Sequence, residues 1–256
     1  WLHDKIIEGD LYNDRVFCQE IMKVFEPHLA GVDVVYYSPM GAFHSVNLDA
    51  VSRQAGYGRT FVALSSSRQL CDRQARPSMK SAVLYGGLIY GSGKEIQIDS
   101  TRAGWNELLY SRDEVKAIAG IMNENGCSAD IFDRELGTED SFKKLDGASP
   151  SVIHFATHGF FLDDNSSNPY NDSRIAIPTM NRSGLIMANG QSAWLGNPVP
   201  PGQEDGVLLS GEVAMMDLSN TSLVTLSACQ TGLGVIASEG IFGLQRAFKK
   251  AGVQTV

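Results

Sequence analysis

Basic residues are in deficit, cysteines are few and scattered, and no apolar run is long. The 256 residues include 21 Lys and Arg against 29 Asp and Glu, a formal net charge of −8 with no basic cluster. A nucleic-acid surface needs an excess of cations on one face to displace phosphate counterions, so nucleic acid is not an expected partner. The four cysteines, Cys18, Cys71, Cys127 and Cys229, form no Cys-x-x-Cys or Cys/His pattern. Neither a zinc site nor a disulfide framework follows from them, and a reducing cytoplasm is the expected compartment. No run approaches the roughly 20 apolar residues that span a bilayer, and the N-terminus lacks the basic-then-apolar order of a secretion signal, so no membrane association is expected. Internal repeats and low-complexity tracts are also missing. The chain starts at Trp1 and stops inside the apolar run Val253 to Val256, which reads as a fragment whose C-terminus is cut short.

What is present is a globular composition, 43% apolar, long enough for one large domain or two small ones. Between Asp10 and His28, Leu11, Val16, Phe17, Ile21, Val24 and Phe25 recur at helical spacing, and Pro27 marks the stop. Val32 to Tyr37 and Ala42 to Leu48, joined by Ser38 to Gly41, read as a β-hairpin. This first half, residues 1–80, is expected to be helix plus hairpin, with the polar stretch Cys71 to Lys80 leading into the second half, 81–256. There strand and helix alternate. Ala82 to Ile89, Ala129 to Phe132 and Val152 to Thr157 read as strands, with helices over Ser111 to Asn123 and Glu139 to Leu145. Such alternation predicts an α/β fold with a mainly parallel sheet flanked by helices. Asp163 to Gly206, rich in Asn, Ser, Pro and Gly, reads as a long irregular excursion. Beyond it, Leu223 to Leu226 reads as a strand, Gly240 to Lys250 as a helix, and Val253 to Val256 as the start of another strand.

Two segments carry chemistry. His154-Phe-Ala-Thr-His158-Gly159 and Leu223-Val-Thr-Leu-Ser-Ala-Cys229 are each an apolar strand ending in a reactive side chain. The carboxyl ends of strands in an open α/β sheet form the edge where ligands bind. A thiol is only slightly ionised near neutrality and becomes an effective nucleophile when a neighbouring imidazole takes its proton. Cys229 and His158 are therefore the candidate nucleophile and general base. Gly159 and Cys229 are the candidate backbone N–H donors to an oxyanion. Taken singly, a Cys at a strand end is more often a small core residue and a His before Gly more often a structural one; it is the pair, in the order His then Cys after two apolar strands, that points to chemistry. His154 and His158 lie four apart in a strand with no third ligand nearby, so no metal site is assigned. Gly86 to Lys94 superficially matches a phosphate loop, but Leu88 stands in place of its first Gly and Glu95 in place of its Ser or Thr. More simply, Gly86 and Gly87 let a central strand pass close to a neighbouring helix or the substrate.

The runs His154 to Phe161, Leu223 to Gly234 and Glu239 to Gly252 resemble the CHAT domain family, caspase-like domains often joined to TPR repeats. Tyr37 to Gly41, Gly184 to Asn189 and Asp205 to Glu212 extend the resemblance over nearly the whole chain. The sequence around Cys229 also approaches the caspase pattern of Ala-Cys followed by Arg, Gln or Gly. The resemblance implies a caspase-like (caspase-hemoglobinase) fold and a cytoplasmic bacterial setting. It also implies a cysteine endopeptidase that cleaves a protein substrate with His158 and Cys229 as its dyad, without a cofactor. Control by an adjoining TPR or other regulatory region, or by a partner, is a further implication. The alternative within the same family is a non-catalytic interaction module, and acyl transfer to a non-peptide acceptor would use the same dyad. Met40 stands where the family more often has Asp. Relatives that cut after Arg or Lys commonly carry an acid two residues before the nucleophile, where this chain has Ser227. Ser227, Asp205 and Glu239 are the candidate substrate-binding residues, and Asp163 and Asp164 are candidates to orient His158.

Overall fold

A computed structural model describes residues 11–39, 43, 46–64, 70, 79–91, 104–162, 181–227 and 238–256, of which 238–242 are described by backbone alone. These residues fall in two compact units, one of residues 1–75 with 234–238 and one of residues 76–233 with 239–256.

In the first unit, helix α1 (Arg15–Phe25) starts at Asp14, whose carboxylate accepts from Phe17 N at 2.9 Å. It buries Phe17, Cys18, Ile21 and Met22, and a 3₁₀ turn over Glu26–His28 ends it at Pro27. Strand β1 (Val34–Tyr37) is followed by helix α2 (Leu48–Ala55) and then strand β2 (Thr60–Ala63), and β1 pairs with β2 in parallel. The predicted hairpin is therefore wrong. Asn47 caps a helix, its Oδ1 accepting from Asp49 N and Ala50 N at 3.1 Å each, and Leu48, Val51, Ser52 and Ala55 face the core. Gly56, at φ 93°, closes that helix. Because α2 intervenes, the chain returns as a parallel crossover, which a tight turn cannot make.

The second unit is built on strands β3 (Ser81–Leu88), β4 (Ser128–Arg134), β5 (Val152–Ala156) and β9 (Leu223–Leu226), all parallel in the order β4-β3-β5-β9. Helix α3 (Ser111–Glu124) covers one face, where Val115 and Ala119 meet Ala82, Leu84, Val152 and Ala156. Helices α4 (Glu139–Lys143) and α7 (Ser238–Lys250) cover the other, where Phe142, Leu244 and Phe248 meet Val83, Tyr85, Ile153 and Phe155. Alternate residues of each central strand thus enter opposite cores, as a parallel sheet covered on both sides requires. Past Leu223 to Leu226, the expected final strand is reduced to a single parallel bridge between Leu223 and Thr255.

The span from residue 163 to 206 is not wholly irregular. Although 163–180 lie outside the described residues, Ser183–Ile186 form strand β7 and Gln191–Trp194 a short helix, α5. β7 is the centre of a three-stranded antiparallel sheet with β6 (His158–Phe161) and β8 (Val207–Leu209). Helix α6 (Ser210–Val213) follows β8 directly, and Glu212 accepts from Leu209 N at 2.8 Å.

Gly86 and Gly87 do bring strand and helix together. A Cβ on Gly86 would lie 2.6 Å from both Ser111 O and Val115 Cγ1, and one on Gly87 would lie 2.5 Å from Arg112 Cβ. Gly87 has φ 66°, and the β3–β4 register shifts between Tyr85 and Leu88, the signature of a bulge. Gly87→Ala combines a left-handed backbone with a clash against α3. Its expected cost is about 2 kcal/mol or more, read from the midpoint of urea unfolding.

Candidate active site

In the order β4-β3-β5-β9 the chain leaves β3 first to one side and then to the other, so the switch point lies between β3 and β5. Crevices for ligands open there, beyond the carboxyl ends of the strands. Just past those ends stand Tyr90, after β3, and Thr157 and His158, after β5. Thr157 Oγ1 donates to Ile186 O at 2.5 Å and therefore accepts from Tyr90 Oη at 3.0 Å. These bonds lock the turn from β5 into β6, which starts at His158.

The His158 ring packs against two aromatic rings, with centroids 4.9 Å from Tyr90 and 4.8 Å from Trp105. Trp105 in turn packs on Trp194 of α5 at 5.1 Å. One imidazole nitrogen, Nε2, lies 2.7 Å from the backbone carbonyl of Asn106. A carbonyl can only accept, so Nε2 carries the proton and Nδ1 the lone pair in the neutral ring. Nδ1 is buried and has no partner among the described residues. Burial pushes the His158 pKa below its ordinary value, and the Asn106 carbonyl only partly offsets it. The ring is thus held neutral, in one tautomer, with an unused basic nitrogen.

On the nucleophile's side, the β5–β9 register pairs Phe155 with Leu226, and the ladder continues as Ser227 N donates to Phe155 O at 2.7 Å. Cys229 lies outside the described residues, as do Asp163 and Asp164 and the side chain of Glu239. Ser227 is exposed at the sheet edge. Asp205 uses Oδ1 to accept from Val207 N at 2.7 Å, which fixes the entry to β8. Gly159 sits in β6 opposite Leu185.

The two histidines of the His154–His158 pair have separate partners. His154 Nδ1 lies 2.5 Å from Thr225 Oγ1 on β9, and Nε2 is 3.0 Å from Glu114 Oε1 on α3. Burial lowers the His154 pKa in spite of Glu114. Elsewhere Glu139, Glu204 and Glu212 converge, but Lys143 Nζ sits among them at 2.7, 2.5 and 2.7 Å and occupies the place a cation would take. Burial pushes the Glu139 carboxyl up to about 8 against the pull of Lys143, and its Oε2 accepts from Gly206 N at 2.8 Å. That network joins α4 to the entry of β8 and to α6.

The lowered pKa values of His154 and His158 set an acid limit on stability. Each native ring takes up its proton at lower pH than the unfolded ring, whose value is about 6.5. Below about pH 6.5 the unfolded chain therefore binds more protons, and the native state loses stability as pH falls. His154→Gln removes one such group, so its urea midpoint is expected to fall less than that of the wild type between pH 7 and pH 5.

A family model for the CHAT domain matches residues 19–256. The chain belongs to the CHAT domain family. This is a caspase-like, protease-related family, and no curated protein matches the chain. Within this CHAT domain Tyr37 to Gly41 belongs to the first unit and the other resembling runs to the second: His154 to Phe161 is β5 with β6, Gly184 to Asn189 leads from β7 to α5, and Asp205 to Glu212 makes β8 with α6. Leu223 to Leu226 is β9, and the run Glu239 to Gly252 covers α7 from its second residue to its end. Among the described residues of the CHAT domain no helix is long and apolar enough to cross a membrane. Sequence reasoning missed Tyr90, Trp105 and Asn106. Trp105 following Gly104 in a polar stretch was the available hint; Asn106 acts through its backbone and leaves no signature in residue type.

Proposed function

We propose that this CHAT domain is a cysteine endopeptidase of the caspase-like fold, with Cys229 as nucleophile and His158 as general base. The observation that carries the reading is the state of the imidazole: Nε2–H is committed to Asn106 O, and Nδ1 is buried and without a partner among the described residues. A polar atom left so at a sheet edge is costly unless function uses it. The strand register supports the pairing. His158 follows Phe155 by three residues and Cys229 follows Leu226 by three, and Phe155 and Leu226 are partners on adjacent parallel strands.

The Cys229 thiol gives its proton to His158 Nδ1, and the thiolate attacks the carbonyl carbon of the scissile peptide bond. Backbone N–H groups of Gly159 and Cys229 receive the oxyanion. Collapse of the tetrahedral intermediate breaks the C–N bond as His158 Nδ1–H protonates the departing amine, leaving a thioester on Cys229. Water then attacks the thioester, its proton passing to His158, and the new carboxyl terminus departs as the thiol re-forms. A neutral resting His158 suits the first step, because only the neutral ring accepts the proton. Ser227 in place of an acid argues against strict selection of Lys or Arg before the cleaved bond. Asp205 and Glu239 remain candidate substrate contacts, and a partner or adjoining repeat region is the proposed control.

The test is to incubate the reduced protein with a proteome-derived peptide library and identify new termini by mass spectrometry, with Cys229→Ala in parallel. New termini from the wild type only are expected. Equal cleavage by both proteins refutes the assignment, and cleavage by neither points to a missing activator or to a binding module.

A further inference from the structure

The Asn106 carbonyl that fixes the His158 tautomer lies in an irregular segment between residues 104 and 110, so something must hold it. Among the described residues, Gly104 to Glu107 make two hydrogen bonds to other parts of the fold. One is the His158 Nε2–Asn106 O bond, and in the other Trp105 N donates to the side-chain Oε1 of Gln191 at 2.8 Å. The second anchor is one residue from the carbonyl it would have to position. Gln191 is itself fixed, since its backbone N donates to Tyr90 O at 2.8 Å and it opens α5. The approach is close: a Cβ on Gly104 would lie 3.0 Å from Gln191 Oε1, a distance at which the amide would have to give way. Trp194, from the same short helix, packs on the Trp105 ring at 5.1 Å.

We propose that Gln191 is a positioning residue for the general base: its side-chain carbonyl holds Trp105 N–H, and through it the Asn106 carbonyl, against His158 Nε2. This rests on His158 being the base. Gln191 acts at two removes and touches neither substrate nor nucleophile. The amide is suited to the task because it accepts at a fixed reach without adding a charge beside an imidazole that must stay neutral. Without it, Asn106 O is free to drift, Nδ1–H competes with Nε2–H, and the fraction of rings with a basic Nδ1 falls.

The test is nitrogen NMR of the full chain labelled at histidine, comparing wild type, Gln191→Met and Gln191→Glu. Methionine matches the length and offers no oxygen; glutamate restores an acceptor. The wild type is expected to show His158 as the Nε2–H tautomer, Gln191→Met a mixture of both, and Gln191→Glu the Nε2–H form again once the pH is high enough to keep the ring neutral beside the added carboxylate. Where a cleavable peptide is in hand, kcat of Gln191→Met falls about tenfold, the scale of one lost hydrogen bond, with KM within about twofold of wild type. A Gln191→Met protein with the wild-type tautomer and kcat overturns the proposal. If that variant does not fold, exchange of the Trp105 amide in the wild type decides: slow exchange is expected, and exchange at the rate of an open loop overturns it. None of the spectroscopic readouts needs turnover, so the tautomer judges this proposal separately from the cleavage assay that judges the protease reading.

Discussion

His158→Gln is expected to lower kcat/KM for peptide cleavage by about 10³-fold or more, within the range that a positioned acid–base group contributes. Glutamine keeps a nitrogen donor at a reach similar to Nε2, so the bond to Asn106 O is retained in kind. What it cannot supply is a basic lone pair at the position of Nδ1. The loss therefore falls on both proton transfers, from the thiol to the base and from the base to the leaving amine. KM is expected to change little, because the imidazole handles the proton and does not grip the substrate. A fall of less than about tenfold would mean that another group takes the thiol proton.

Phe155→Ala is expected to cost about 3–5 kcal/mol of stability, the range for deleting a buried aromatic ring. Phe155 is fully buried in β5, stacked on Tyr85 at 5.0 Å, and it meets Phe142 of α4 at 5.3 Å and Phe248 of α7 at 5.9 Å. One ring thus joins the sheet to both helices of that layer. Its carbonyl also accepts from Ser227 N, which sets the end of the strand leading to Cys229. Urea unfolding checks the figure, and a midpoint shift worth less than about 1 kcal/mol would show that the layer repacks around the gap.

The sequence was legible where periodicity and burial coincide. β3 and β5 are nearly continuous apolar runs, as strands covered on both faces are, and α3 shows its helical spacing plainly. Residues 42–48 misled because Val46 and Leu48 sit at the alternation of a strand, while the deciding signals were the cap at Asn47 and the stop at Gly56. β7 and α5 were hidden because each is four residues long, too short for a period to emerge from a polar, Gly-rich span. At the site, His158 could be read from its motif. The parts that give it one tautomer could not, because a carbonyl belongs to every residue and Trp105, Tyr90 and Gln191 meet only through the crossing of β3, β5 and α5.

The measurement closest to the central claim is the rate of Cys229 alkylation by iodoacetamide against pH, followed on the Cys229-containing peptide by mass spectrometry in wild type and His158→Gln. A paired imidazole is expected to make the wild-type thiol react well below the ordinary thiol value of about 8.5, with the profile moving up to that value or higher in the variant. Identical profiles in the two proteins would contradict the account, for they would mean that His158 and Cys229 do not share a proton.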